Sequence, residues 1–211
     1  MNCADAQLPV GPGQFGVGAL LLDRDGIINV DQGYVHRISE FQFVEGIFDL
    51  TRFWTLEVHR PIVVISNQSG IGRGYFDEED YADLTRWMCR RFAAEGSPIA
   101  RVYHCPSHPE HGVGRYRRDD PWRKPRPGMI LQAADDLNLN LACSVIVGDK
   151  LSDMEAGERA GVGLRILVKN SVGRNSEEET SGPSGHETAA DLTQVLALLR
   201  RHFGAGAINP Q

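Results

Sequence analysis

The sequence predicts an α/β fold built on a parallel sheet with helices on both faces. Three observations carry this. Short runs rich in Val, Ile and Leu recur along the 211 residues, longer stretches with apolar residues at helical spacing separate them, and several runs end in Asp, Ser or Gly. Strands that alternate with helices need crossover connections, and these make a parallel sheet covered on both sides. In such sheets the ligand crevice lies beyond the carboxyl ends of the strands, where Asp23, Ser66 and Asp149 all fall.

The first strand is read in "ALLLD" (19–23), where four apolar residues run into Asp23-Arg24-Asp25-Gly26, with Asp31 close behind. Strand side chains alternate, so carboxylates two residues apart would share one side of the chain. Like charges held together repel and raise one another's pKa unless a cation or proton separates them. Asp23 and Asp25 therefore need a neutralising partner, or they serve chemistry. A helix is expected from near Gly46, taking in "TRFWTLE". The second strand, "PIVVIS" (61–66), leads into Ser66-Asn67-Gln68-Ser69-Gly70. The clearest helix covers 77–96, with Tyr81, Leu84, Met88 and Phe92 at helical spacing, Asp77 as N-cap, and Gly96 and Pro98 as its stop.

A third strand, "RVYHC" (101–105), precedes a connection over 106–128 that is rich in His, Arg and Pro and ends in Arg123-Lys124-Pro125. A loop of that length in a compact domain points to function. Pro127 opens the next helix. The fourth strand, "SVIVGD" (144–149), is followed by Lys150 and Asp153, a short helix "DMEAGERAG", and a fifth strand "LRILV" (164–168). The Ser/Gly/Glu-rich stretch 170–188 is expected to be mobile. It leads into a closing helix over 190–203 with Leu192, Val195, Leu196 and Leu199 on its apolar face. The organisation is one domain over 19–203, with an N-terminal extension (1–18) and a C-terminal tail (204–211). Trp54, Trp87, Cys89 and Cys143 are read as buried packing residues.

Composition narrows the function classes. The chain is 41% hydrophobic and 24% charged, with a net charge of -6, which gives no sign of a nucleic-acid or acidic-membrane partner. No apolar run approaches the ~20 residues of a membrane span, and no basic region precedes an apolar block at the N-terminus. Four scattered cysteines without a CxxC pair suit a reducing compartment, so a cytoplasmic protein is expected; a monomer is the expected oligomeric state. "SGIGRG" lacks the G-x-G-x-x-G spacing of a dinucleotide site; it reads as a turn that places Arg73 either against substrate or on the surface.

The strand ends carry the chemistry. Asp23, Asp25 and Asp149 offer hard oxygen ligands suited to Mg²⁺, which joins carboxylates to phosphate. The Ser66 hydroxyl, the backbone amides after it and the Lys124 ammonium can hold phosphate oxygens. In such a setting one aspartate can attack phosphorus and form an aspartyl-phosphate, while a second protonates the leaving oxygen and then activates water. Asp153 is either a supporting residue for Lys150 or the metal shell, or a cap for the helix that follows, and capping is the preferred reading.

The order DxDG, a strand ending in Ser-Asn, a Lys and GDxxxD resembles the haloacid dehalogenase-like (HAD) phosphatases, from about Leu20 to Val168. "DRDGIINVDQGYVH", "VVISNQSGIGRGYF", "RKPRPGM" and "VGDKLSDMEAG" are similar to the D-glycero-D-manno-heptose 1,7-bisphosphate and histidinol-phosphate phosphatases. The resemblance implies a Rossmann-like HAD sheet without a separate cap domain. It implies Asp23 as nucleophile and Asp25 as general acid/base. Mg²⁺ would be held by Asp23, Asp149 and the main-chain carbonyl of Asp25, and the phosphoryl group by Ser66 and Lys124. Substrate contacts would come from Asp31, Gln32, Gly33, Tyr34, Asn67, Gln68, Ser69, Arg123 and Lys150, with Arg73 a further candidate. The substrate implied is a small sugar bisphosphate. It would lose its C7 phosphate on the way to a nucleotide-activated heptose for surface glycan.

The chain departs from the family in one place. Many relatives hold a structural zinc before "RKP" through Cys-x-His and Cys-x-Cys pairs. Here Cys105 remains, but Ser107 stands at the His position and Asp120 and Trp122 replace the second pair. A closed zinc site needs four ligands, and an improvised set from Cys105, His108, His111 and Asp119 or Asp120 has unusual spacing. The expectation is a loop without zinc, held by Trp122, Tyr116, its prolines and Arg–Asp pairs among Arg115, Arg117, Arg118, Asp119 and Asp120.

Overall fold

The computed structural model describes residues 16–169 and 185–204. Six parallel strands form one sheet in the order β3-β2-β1-β4-β5-β6. They are β1 (Leu20–Leu22), β2 (Ile62–Asn67), β3 (Ile99–Cys105), β4 (Val145–Gly148), β5 (Leu164–Val168) and β6 (Glu187–Ala189). The central strands are buried on both faces, which is why they read as unbroken apolar runs. Along β1 the alternation is visible directly. Leu20 and Leu22 belong to one core cluster, Ala19 and Leu21 to the other.

Helices cover both faces. On the Leu20/Leu22 side lie α1 (Ile47–Phe53), α3 (Glu78–Ala94) and α6 (Leu192–Phe203); on the Leu21 side lie α4 (Gly128–Leu137) and α5 (Leu151–Ala160). A single turn, α2 (Ser69–Gly72), follows β2. The N-terminus of α3 is fixed by a reciprocal cap. Asp77 accepts from the backbone N–H groups of Glu79 and Asp80 at 2.8 Å, and Asp80 accepts from the Asp77 N–H at 3.1 Å. Beyond α1 the chain runs on as a π-helical turn, Trp54–Val58, closed by His59 at φ 57.

Most expectations about elements hold, and two are corrected. β6 lies partly within the stretch expected to be mobile: Glu187 and Thr188 pair with Leu167 and the neighbouring β5 residues, while 170–184 lies outside the described residues. Backbone pairing with β5 and the single buried side chain of Ala189 hold this edge strand, so no apolar run announces it. Cys143 is exposed rather than buried, because it ends a 3-10 turn whose Asn140 cap faces solvent. On α6, Leu198 is buried beside Leu199, while Leu196 is only partly buried against the core. Trp54 is fully buried, Cys89 is buried, and Trp87 is half-buried against the rings of Phe41 and Phe43. Among the described residues no helix is long and apolar enough to cross a membrane.

The strand order reverses between β1 and β4. β1 is followed in space by β2 and β3 on one side and by β4, β5 and β6 on the other. Chain connections leave in opposite directions there and open a crevice above the two central strands. The loop after β1 stays local, with bridges joining Asp25 to Asn29 and Asn29 to Phe43. The connection after β3 folds back onto α2, where the Val113 N–H donates to the Gly72 carbonyl at 2.7 Å.

Candidate active site

β1 ends at Leu22, so the chain has left the strand before it reaches either acid. The two acids therefore do not sit side by side on a strand, and each has its own cationic side chain. Asp23 is buried, and its Oδ1 lies 2.9 Å from Lys124 Nζ. Asp25 is gripped by the guanidinium of Arg24, whose Nη2 lies 2.9 and 3.0 Å from the two carboxylate oxygens. Asn29 Nδ2 and Gln68 Nε2 also donate to Asp25, at 3.0 and 2.8 Å. Arg24 is itself buried, and it is anchored by donating to the Val35 carbonyl at 2.7 Å.

Lys124 sits at the centre of the acids. Its ammonium contacts Asp153 Oδ1 at 2.5 Å as well as Asp23, and donates to the Ile65 carbonyl at 3.0 Å. The carboxylates of Asp23, Asp149 and Asp153 converge, with ligand oxygens all within 4.8 Å of one another. Close approach is permitted by missing side chains. A Cβ on Gly26, which sits at φ +90, would collide with the Asp149 carboxylate, and one on Gly148 would collide with Asp153.

These surroundings set the charges. Burial pushes the Asp23 pKa up, to about 7, with Asp153 and Asp149 adding to it while Lys124 opposes. Burial is the main cause, and the one buried lysine touches two buried carboxylates and can neutralise only one. Burial would lower the Lys124 pKa, but Asp153 and Asp23 outweigh it and raise it. Burial would also raise Asp25, yet the charge of Arg24 and the bonds from Arg24, Asn29 and Gln68 hold it below the ordinary range. Arg123 is lowered, by burial and by the nearby charge of Arg73.

The other residues singled out by sequence fall around this cluster. Ser66 is buried at the end of β2 and accepts from Gln68 Nε2 at 2.8 Å, so the Gln68 amide bridges Ser66 and Asp25. Asn67 exchanges two 3.0 Å bonds with the backbone of Lys124 and thereby fixes the lysine. Ser69 opens α2. Asp31, Gln32, Gly33 and Tyr34 form an exposed turn, with Gly33 at φ 79 and Tyr34 at φ 53. Lys150 reaches across to Asp31 at 3.4 Å, and the Arg73 guanidinium lies 5.8 Å from the centre of the Tyr34 ring. The Asp25 carboxylate is not part of the converging group.

Sequence reasoning left the choice open for Asp153 and missed Arg24. Asp153 does cap α5, accepting from the Lys150 N–H at 3.1 Å, but from the third helical position, and it also completes the acid cluster. Its i+4 spacing from Asp149 was the available signal. Arg24, the residue between the two acids, left no signal beyond its place in the motif. Two clefts of about 620 and 680 Å³ flank Glu78; one is lined by Phe76 and Tyr116 and the other by Cys105 and Trp122, and the acid cluster lies outside both.

The donor set fits a hard divalent cation: three carboxylates converging beside a buried ammonium, closed by glycines that admit no side chain. Comparisons with known proteins agree with this geometry. Residues 121–195 match a HAD-hydrolase-like family. The chain is 53% identical over 150 residues to the D-glycero-alpha-D-manno-heptose-1,7-bisphosphate 7-phosphatase of Burkholderia mallei, covering 71% of this chain and 79% of that one. It is 51% identical over 183 residues to the D-glycero-beta-D-manno-heptose-1,7-bisphosphate 7-phosphatase of Vibrio cholerae, covering 87% and 98%. Among solved structures, the D,D-heptose 1,7-bisphosphate phosphatase of B. bronchiseptica, complexed with magnesium and phosphate, superposes with a TM-score of 0.76 at 29% identity. That match covers 88% of this chain and 99% of the other. With so much of each relative's length matched at such identity, the chain belongs to the heptose 1,7-bisphosphate 7-phosphatase family of HAD-like phosphatases.

Proposed function

We propose that the protein hydrolyses the C7 phosphate of D-glycero-D-manno-heptose 1,7-bisphosphate through an aspartyl-phosphate on Asp23. The observation that carries the reading is the division of labour between the two acids: Asp23 on Lys124, Asp25 on Arg24. Asp23, Asp149 and the Asp25 carbonyl would hold Mg²⁺, with Asp153 beside them; when bound, the ion offsets carboxylate and phosphate charge.

The chain's own residues do the rest. Lys124 and the Ser66 hydroxyl hold the phosphoryl oxygens, and Lys124 keeps its proton throughout because two carboxylates face it. An Asp23 oxygen forms a bond to phosphorus as the bond from phosphorus to the C7 oxygen breaks. The departing oxygen takes a proton carried by Asp25. Asp25, again a carboxylate, then takes a proton from water, which attacks the phosphorus and releases Asp23 and inorganic phosphate. The three donors on Asp25 favour the carboxylate needed in the second half; the incoming phosphate, a like charge, favours the protonated acid needed in the first. Lys150 beside Asp31, Arg73 over Tyr34 and Arg123 near Arg73 supply cations suited to the remote phosphate.

The test is a phosphate-release assay with Mg²⁺ over both anomers of the bisphosphate, the corresponding monophosphates and histidinol phosphate. A bisphosphate should exceed its monophosphate in kcat/KM by about tenfold or more, since losing a charge-assisted hydrogen bond costs roughly 1.5–3 kcal/mol. Asp23→Asn should abolish turnover. Equal kcat/KM for bisphosphate and monophosphate, or a preference for histidinol phosphate, rejects the substrate; an active Asp23→Asn rejects the mechanism.

A further inference from the structure

The long loop before Arg123 is where the family resemblance implies a zinc, and the residues present do not fit one. Trp122 offers no ligand atom. Ser107 and Asp120 are buried, but the carboxylate of Asp120 is already in use. Its Oδ2 accepts from the Ser107 hydroxyl at 2.8 Å and from Arg118 Nε and Nη2 at 2.9 and 2.7 Å; its Oδ1 accepts from the Trp122 N–H at 3.0 Å. Two of the alternative ligands are engaged as well. Asp119 pairs with Arg126, and His108 Nδ1 accepts from the backbone N–H groups of Glu110 and His111. Burial pushes the Cys105 thiol pKa up, away from the thiolate that a zinc needs.

We infer that the Ser107–Asp120–Arg118 cluster does the work of the missing metal, and that Asp120 is thereby a positioning residue for Arg123. The contacts make a short path. Ser107, on the strand of loop leaving β3, is stitched through its hydroxyl to Asp120, on the segment returning to α4. The Ser107 carbonyl accepts from Arg123 Nη1 at 3.2 Å, and the Asp120 carbonyl accepts from the Arg123 N–H at 3.0 Å. Both ends of Arg123, backbone and guanidinium, are thus held by the two residues the clamp joins. Trp122, oriented through its N–H on Asp120, packs edge-on against Tyr103 of β3 with ring centres 6.0 Å apart, tying the clamp to the sheet. The next residue, Lys124, is fixed separately by Asn67, so loosening the clamp should disturb Arg123 before it disturbs Lys124.

The consequence for Arg123 rests on the substrate reading above, so the experiment separates the clamp from the chemistry. Metal content is measured in wild type purified without chelator. Hydrogen exchange over residues 106–123 and Tm are then compared for wild type, Asp120→Asn and Arg118→Gln; the Arg118 side chain is 64% exposed, so that variant leaves the core intact. Kinetics are measured on the bisphosphate for these and for Arg123→Ala. The expected results are no stoichiometric zinc, faster exchange in both clamp variants, and a KM raised about tenfold with kcat within about twofold. Asp120→Asn should add little in an Arg123→Ala background, because both act through one guanidinium. About one zinc per chain, lost with Cys105→Ala, overturns the inference, as does unchanged loop exchange in both variants. Additive effects of Asp120→Asn and Arg123→Ala overturn the positioning role. If wild type shows no preference for the bisphosphate, the substrate reading fails and the positioning role with it, while the exchange data still decide the clamp.

Discussion

Lys124 is the residue on which the site's electrostatics turn. It is the buried cation that contacts both Asp23 and Asp153, and it has no room to relax, being 3% exposed and bonded to the Ile65 carbonyl. Removing either acid leaves it one partner; removing the lysine leaves buried carboxylates facing one another. The two changes should therefore differ in stability although both abolish activity. Without metal, Asp23→Asn should hold its Tm within a few degrees of wild type. Lys124→Met should lose about 3–5 kcal/mol, the usual cost of stranding a buried charge, which for a chain of this size is roughly 10 °C in Tm. Thermal unfolding in EDTA measures both; a Lys124→Met protein as stable as Asp23→Asn would mean that the acids are neutralised in some other way. At this scale the sequence was informative about identities and less so about partners. Asp23, Asp25, Lys124 and Asp149 were legible because each ends or follows a recognisable segment. The separate cations of Asp23 and Asp25, and the double duty of Asp153, depend on where β1 stops and how α5 begins, which differ by a residue or two from what periodicity can resolve.

Among the elements, the loop over 106–127 has the least regular structure and the most specific side-chain bonding. Its clamp has a pH signature. Burial would raise the Asp120 pKa, but the Trp122 N–H, the Ser107 hydroxyl and Arg118 together hold it below the ordinary carboxylate range. A depressed pKa in the folded state contributes stability above the unfolded pKa, and this is lost as pH falls through the folded value. The clamp should therefore be indifferent to pH between about 5 and 8 and open only below about 4, whereas a loop held by thiolates and imidazoles on a metal would loosen as those ligands take up protons. Hydrogen exchange over 106–123, corrected for intrinsic rates, checks this; opening near pH 6 would count against a carboxylate clamp. The loop also marks a limit of sequence reading. The Arg118–Asp120 pair was among those expected, but the role of Ser107 was not, because it read only as a lost histidine. β6 was missed for a related reason. Its three residues carry no apolar run; pairing with β5 and one buried alanine, Ala189, make them a strand.

For the molecule as a whole, a net charge of -6 and a cluster of buried acids at the switch between β1 and β4 place much of the repulsion at one point of the fold. The rest of the structure is ordinary for a parallel sheet: two apolar layers divided by the alternation along β1, legible from the strand runs and helical spacings alone. A ligand that binds only the folded state stabilises it by mass action, about 2.7 kcal/mol at a hundredfold excess over Kd. If Asp23, Asp149 and the Asp25 carbonyl hold Mg²⁺, saturating Mg²⁺ should raise Tm by roughly 5–10 °C. Asp149→Asn gives the decisive contrast. It removes a charge from the crowded cluster, so in EDTA it should be at least as stable as wild type; it also removes a ligand, so the Mg²⁺-dependent rise should largely vanish. The two proteins should therefore change places in stability between EDTA and Mg²⁺. A mutation that merely damaged packing would lower Tm in both conditions alike, and a site that does not bind Mg²⁺ would show no rise in wild type. Differential scanning of both proteins across a Mg²⁺ series distinguishes these outcomes without any assay of turnover.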